Sequence, residues 1–119
     1  MGNRLVRSNE RMYVTRHECE LHWVCHKELT GPGYLAMAEA YFPRHGGHGP
    51  HRHPNAEEII QVISGRAEQG VADETYIMGP GDTVVIPSDV THWTKSLGDE
   101  PLAIRVVFSD ADPQTVDID

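Results

Sequence analysis

His51-Arg52-His53-Pro54-Asn55-Ala56-Glu57-Glu58, closing at Gly65, and Gly81-Asp82-Thr83-Val84-Val85-Ile86-Pro87, reaching His92, are the two stretches that decide how this chain is read. In extended backbone successive side chains alternate faces, so His51 and His53 project to the same side and form a chelating pair. His92 and a carboxylate from the Glu57-Glu58 step complete a set of three imidazoles and one acid. Neutral imidazole nitrogen with a single carboxylate oxygen is a borderline donor set, suited to Mn, Fe, Co, Ni, Cu or Zn and too rich in nitrogen for Ca or Mg. The expected cofactor is one divalent transition metal ion.

The pattern His51-x-His53-x4-Glu58-x6-Gly65, followed by Gly81-x5-Pro87-x4-His92, resembles the paired motifs of the cupin superfamily, the small metal-binding β-barrels. Asp89 stands where that family usually has Gly, and Ser96 where it often has Asn. His45 takes the usual place of a lead-in Gly, with Gly46 and Gly47 beside it. These departures touch turn geometry and leave the donor set intact. The resemblance runs from about Leu21 to Phe108 and implies an all-β, double-stranded β-helix or jelly-roll barrel in a single domain over residues 1–119. It implies no particular reaction, because the fold hosts isomerases, lyases, cyclases, dioxygenases and plain binding modules. Spacing to Gly65 selects Glu58 as the acid, and Glu57, on the opposite face of the strand, becomes an exposed charge.

A chain of 119 residues is one domain, large enough to fold without disulfide or metal staples, so a bound metal is free to be functional. Its longest apolar runs fall far short of the roughly twenty residues that a membrane span needs, and the polar start lacks a signal-peptide core, which together predict a cytoplasmic protein without a membrane partner. Cys19 and Cys25 are too few for a disulfide framework. A net charge of −8, with ten scattered Lys and Arg, argues against nucleic acid and for a small-molecule ligand, plausibly an anionic one. Residues 1–20 read as an N-terminal extension and 109–119 as an acidic, solvated tail.

Short β-prone runs recur between Gly, Pro and Asp, and helical periodicity is nearly absent. A hairpin is expected with strands His22–Leu29 and Tyr34–Phe42 joined at Thr30-Gly-Pro-Gly33. A Gly- and His-rich loop should span Pro43 to Pro50, and strands are expected at Glu58–Ile63, Arg66–Val71, Glu74–Met78, Thr83–Pro87, Thr91–Lys95 and Leu102–Phe108, about eight or nine in all. If Glu58 and His92 point inward, alternation brings Ile60, Val62 and Thr94 to the same side as pocket lining. The strand before the ligand loop has no fixed phase. Either Met37, Glu39 and Tyr41 face the ion, supplying an acid-base pair in Glu39 and Tyr41, or Ala36, Ala38 and Ala40 face it and leave space.

His48 and His45 lie just before the chelating pair, where one of them is a candidate general base and the plainer reading is a solvated loop histidine. Arg105 interrupts an apolar strand and, if inward, anchors an anionic substrate; Arg66 is a second candidate. The group His17, Cys19, His22, Cys25 and His26 suggests a second zinc site, but Cys25 and His26 are adjacent on a strand and face opposite ways, so buried Cys with surface His is the better account. Trp23, Trp93 and Phe108 are expected as core or dimer-contact aromatics, with Trp93 a candidate for the pocket entrance.

Two functions follow. One is a metal-dependent enzyme whose ion acts as Lewis acid on a chelating oxygenated substrate, or supports dioxygenase chemistry. The other is a non-catalytic cupin whose metal helps to hold a ligand. Exposed sheet edges predict a homodimer in either case.

Overall fold

The structure, a computed structural model, describes residues 2–118. Eleven strands account for most of these residues: β1 (Met12–Arg16), β2 (Cys19–Cys25), β3 (Ala36–Phe42), β4 (Gly47–Arg52), β5 (Glu58–Ser64), β6 (Arg66–Val71), β7 (Glu74–Met78), β8 (Thr83–Ile86), β9 (His92–Leu97), β10 (Leu102–Phe108) and β11 (Val116–Asp117). One short helix, α1 (Lys27–Thr30), and a 3-10 turn at Ser8–Glu10 complete the elements. The strands form two antiparallel sheets, one ordered β1-β2-β3-β10-β5-β8 and the other β11-β4-β9-β6-β7. This is an all-β jelly roll, as the motif pattern implied.

Strands β3, β5, β9 and β10 alternate with a period of two, and on β5 and β9 this is what aims Glu58 and His92. In β5, Glu58, Ile60 and Val62 are buried while Ile59 and Ile63 are exposed, and in β9 His92, Thr94 and Ser96 are buried. Strand β3 resolves the open phase: Ala36, Ala38, Ala40 and Phe42 face the interior, and Glu39 and Tyr41 face out. Ala40 and Phe42 line the interior cavity and Ala36 and Ala38 pack in the core, whereas an inward Glu39 would bring an unpaired charge into an apolar wall. The core between the sheets is built from these alanines with Ile60, Val62, Ile86, Leu102, Ile104, Val106 and Phe108.

Besides the hairpin arm read over His22–Leu29, where β2 stops at Cys25 and α1 takes Lys27–Thr30, three segments differ from their sequence reading. The expected loop from Pro43 to Pro50 ends in a strand, because β4 begins at Gly47 and pairs with β9 as Gly47↔Lys95 and His48↔Thr94 before a register shift reaches His51↔His92. The N-terminal extension contains β1, which pairs with β2 from Met12↔Trp23 to Arg16↔Cys19 and adds an edge to the larger sheet. The acidic tail likewise turns back on the barrel. Ala111 is buried, and β11 pairs with β4 as Val116↔Arg52 and Asp117↔His51. None of these segments carries an apolar alternation strong enough to announce a strand, since each borrows its hydrogen bonds from an edge already formed.

Gly65, which closes the first motif, turns the chain from β5 into β6 with φ +82°, and a Cβ there would lie 2.4 Å from the Pro101 carbonyl oxygen. Both the left-handed backbone and the rigid neighbour require glycine. Gly65→Ala is expected to lower stability by roughly 1–3 kcal/mol, the usual cost of forced overpacking; an unchanged thermal midpoint would contradict this account of the turn.

Candidate metal centre

His51 and His53 come from the end of β4 and the residue just after it, Glu58 from the start of β5, and His92 from the start of β9. All four are buried. The donor atoms of His51, His53 and His92 lie within 4.8 Å of one another. Glu58 Oε1 sits 2.9 Å from His92 Nε2 and 3.3 Å from His53 Nε2. Sequence spacing named these residues, and two strands from one sheet with one from the other bring them to a common point.

The hydrogen bonds on the far side of each ring determine what faces that point. His51 Nδ1 meets the Gly49 carbonyl at 2.7 Å, His53 Nδ1 meets that of Gln114 at 2.9 Å, and His92 Nδ1 meets that of Val90 at 2.9 Å. A carbonyl accepts, so each Nδ1 donates and carries the proton, which leaves every neutral ring with a bare lone pair on Nε2. His53 Nε2, His92 Nε2 and Glu58 Oε1 are fully buried with no hydrogen-bond partner of suitable geometry. Acceptors facing one another at 2.9 to 3.3 Å in a dry interior repel unless a proton or a cation lies among them. The residues present therefore fit a transition metal ion, with His51, His53, His92 and Glu58 to hold it.

The electrostatics agree with that reading. Burial pushes the His51 imidazole down to about 3, helped by its neighbours His48 and His92, so it is a neutral ligand at ordinary pH. Burial acts to raise the Glu58 carboxyl, but the imidazoles of His53 and His92 beside it outweigh burial and hold it down at about 2. Burial likewise opposes protonation of His92, and Glu58 beside it overcomes that and raises the imidazole. Without an ion, Glu58 and His92 share a proton; an ion takes its place.

The donors open onto a cavity of about 210 Å³. Ile60 and Thr94 line it, as alternation predicted; Val62, on the same face, lies fully buried in the core outside the lining. Thr94 donates its hydroxyl to the wholly buried Gln69, which fixes that wall. Trp23 and Phe108 also line the cavity, and Phe108 meets the His53 ring edge to face at 5.0 Å. Cys19 is part of the wall, and burial pushes its thiol up to about 12, so it stays protonated and apolar in character. His48 borders the cavity with its ring stacked on His51 at 3.8 Å, and its Nε2 is buried without a partner.

Other expected site residues are elsewhere. Glu39 and Tyr41 stand on the outer face of the larger sheet, where Glu39 accepts from Arg11 and from the Tyr41 hydroxyl, each at 2.8 Å. Arg105 faces the same way, opposite Glu39 and Gln61 across the sheet, and does not line the cavity. The alternation that brings Ile104 and Val106 inward sends Arg105 out. Arg66 is exposed at the start of β6. His45 and Trp93 line a separate outer groove, and the indole covers Gly70, whose missing side chain makes room for it. The histidines and cysteines suggested as a zinc site diverge. His17 sits in the β1–β2 turn, His22 packs against Tyr13 and Tyr41 on the outer face, and His26 caps α1. Among the described residues, His17 groups instead with His48 and Asp117. Its Nδ1 accepts from the Gly49 amide at 2.9 Å, which places the proton on Nε2 and makes that nitrogen a donor to Asp117, not a ligand.

Sequence reasoning missed Arg16, Pro113 and Thr115, which line the cavity, and Gln114 between the last two. Gln114 supplies the carbonyl that orients His53, and the Thr115 hydroxyl lies 3.2 Å from the same nitrogen. Nothing in the tail's composition marks that role. His51→Ala and His92→Ala should each abolish metal retention while far-UV dichroism keeps its β signature; full occupancy by elemental analysis in both variants would refute the ligand assignment.

A model of the cupin domain matches residues 39–108. The chain is 30% identical over 89 residues to the rhicadhesin receptor of Pisum sativum, covering 71% of this chain and 41% of that protein. It is 27% identical over 92 residues to an uncharacterised protein of Methanocaldococcus jannaschii, covering 77% of this chain and 74% of that one. Among solved structures, an oxalate oxidase superposes with a TM-score of 0.79 at 24% identity, over 87% of this chain and 57% of the other. The oxalate decarboxylase of Lactobacillus farciminis superposes with a TM-score of 0.83 at 22% identity, over 92% of this chain and 34% of the other. The chain thus spans well under two thirds of the pea protein and of both oxalate enzymes.

Proposed function

Because this chain belongs to the cupin family, we propose that it is a metal-dependent enzyme acting on a small oxygenated molecule, with the ion held by His51, His53, His92 and Glu58. The observation that carries this reading is the trio of buried, partnerless acceptor atoms beside a cavity of small-molecule size. When bound, the ion supplies Lewis acidity to a chelating hydroxyl or carbonyl oxygen, as an isomerase, lyase or cyclase requires, or supports oxygen chemistry as in a dioxygenase.

The chain's own residues do the rest. The carbonyls of Gly49, Gln114 and Val90 hold the three rings at fixed angles, so the donor set is oriented before any ligand arrives. Ile60, Trp23 and Phe108 exclude water and strengthen every charge interaction inside. His48 borders the donor set with its Nε2 unpartnered, and burial holds its imidazole down at about 3, so it meets a bound molecule as a neutral ring.

The outward position of Glu39 and Tyr41 favours a second reading, a ligand-binding cupin without turnover, since it removes the expected acid-base pair from the cavity. Incubating metal-loaded protein with hydroxy acids, sugar acids and diketones, followed by NMR, separates the two. Turnover that falls roughly 10²-fold or more in Glu58→Gln supports the enzyme. Tight binding with the ligand unchanged after hours would replace it by the binding module. A homodimer fits the outer face of the larger sheet, where Tyr41, Ile59, Ile63 and Val85 are exposed. A solution mass equal to one 13.3 kDa chain by light scattering would remove that part of the reading.

A further inference from the structure

Arg16 ends β1, and alternation along that strand turns Met12, Val14 and Arg16 toward the cavity. It is the one Lys or Arg among the described lining residues. Its Nε is fully buried and has no hydrogen-bond partner. The guanidinium has one ion-pair contact, Nη2 to Asp117 Oδ1 at 3.6 Å, and that carboxylate is itself half-exposed and shared with His17. A contact of that length at the rim is a weak neutraliser, and it leaves the Nε–H idle.

The charge of the cavity makes this idle donor meaningful. Glu58 is the one carboxylate in the described lining, and the metal set consumes it. Three neutral imidazoles and one carboxylate around a divalent ion leave a net positive charge, to which Arg16 adds another, in a wall otherwise made largely of Val14, Leu21, Ile104, Val106 and similar side chains. A weakly paired positive charge at the partly exposed rim of an otherwise apolar pocket favours an anion, and the guanidinium fork matches a carboxylate with two parallel N–H donors. At about 30 Å³ per water, the cavity of about 210 Å³ has room for an acid of a few carbons.

We propose that Arg16 is a substrate-anchoring residue, and that the ligand is a small hydroxy or oxo acid whose carboxylate meets Arg16 while separate oxygens reach the metal end of the cavity. This rests on the metal-centred reading for the second half of the ligand and on Arg16 alone for the first. The anchoring role assigned from sequence to Arg105 thereby moves to the edge strand, where the side chain faces the cavity instead of the outer surface. Lysine at this position would keep the charge and lose the fork.

The test uses zinc-loaded full-length protein and two probes, malate and its amide at the carboxyl remote from the hydroxyl, titrated calorimetrically. Wild type should prefer malate by roughly tenfold or more, the value of a charge-assisted hydrogen bond. Arg16→Gln should erase that preference by weakening malate alone, with zinc content and amide affinity unchanged, and Arg16→Lys should restore part of it. Absence of malate binding in wild type, or a preference that survives Arg16→Gln, would overturn the proposal. Failure of the metal-centred reading shows elsewhere, as malate affinity unchanged in His92→Ala; a preference still lost in Arg16→Gln would then leave the anchor standing.

Discussion

Four buried acceptors are held against one another at one end of the cavity. Each imidazole spends its single proton on a backbone carbonyl behind it, and Glu58 brings a carboxylate oxygen to within 2.9 Å of His92 Nε2. An arrangement of lone pairs facing lone pairs is relieved by a proton or a cation among them, so the site's fit to a metal ion follows from the far side of the rings as much as from the near side. Everything else in the barrel serves this arrangement. The strands fix the directions, the buried alanines of β3 leave the space, and the apolar wall keeps the dielectric low.

The two ends of the chain contribute more than their composition suggests. Strand β1 widens the larger sheet and lays Arg16 along the cavity mouth. The tail returns across β4, giving the Gln114 carbonyl to His53 and placing Asp117 opposite His51 in the strand register. The metal centre is thus assembled from the middle of the sequence and oriented in part by its end. Truncating the tail removes a hydrogen bond from a ligand, although no ligand lies in the tail.

Period-two alternation carries a large share of the functional geometry. On β5 and β9 it brings Ile60 and Thr94 inward with Glu58 and His92, because a ligand whose direction is known fixes the phase of its whole strand. On β3 no ligand sets the phase, and sequence left two faces open. Packing settled the choice, since alanines fit a central strand between two sheets and an unpaired glutamate does not. Arg105 failed as an anchor for the same reason in reverse. Its neighbours Ile104 and Val106 are the better core residues, so the polar side chain between them goes out to Glu39.

The sequence by itself determined the β class, the strands from Glu58 to Phe108 and the four side chains of the candidate metal centre, because these depend on local alternation, on turns that demand glycine or proline, and on spacing along the chain. It left His48 as a candidate without a place and gave Arg16 no role. Only the tertiary structure decided the facing of β3, the pairing of β1 and β11 with distant edges, the proton position on each ring and the composition of the cavity mouth. Those features arise from contacts between residues far apart in the chain, such as Gln114 with His53 and Asp117 with Arg16, and no local pattern encodes a partner that the fold has yet to supply.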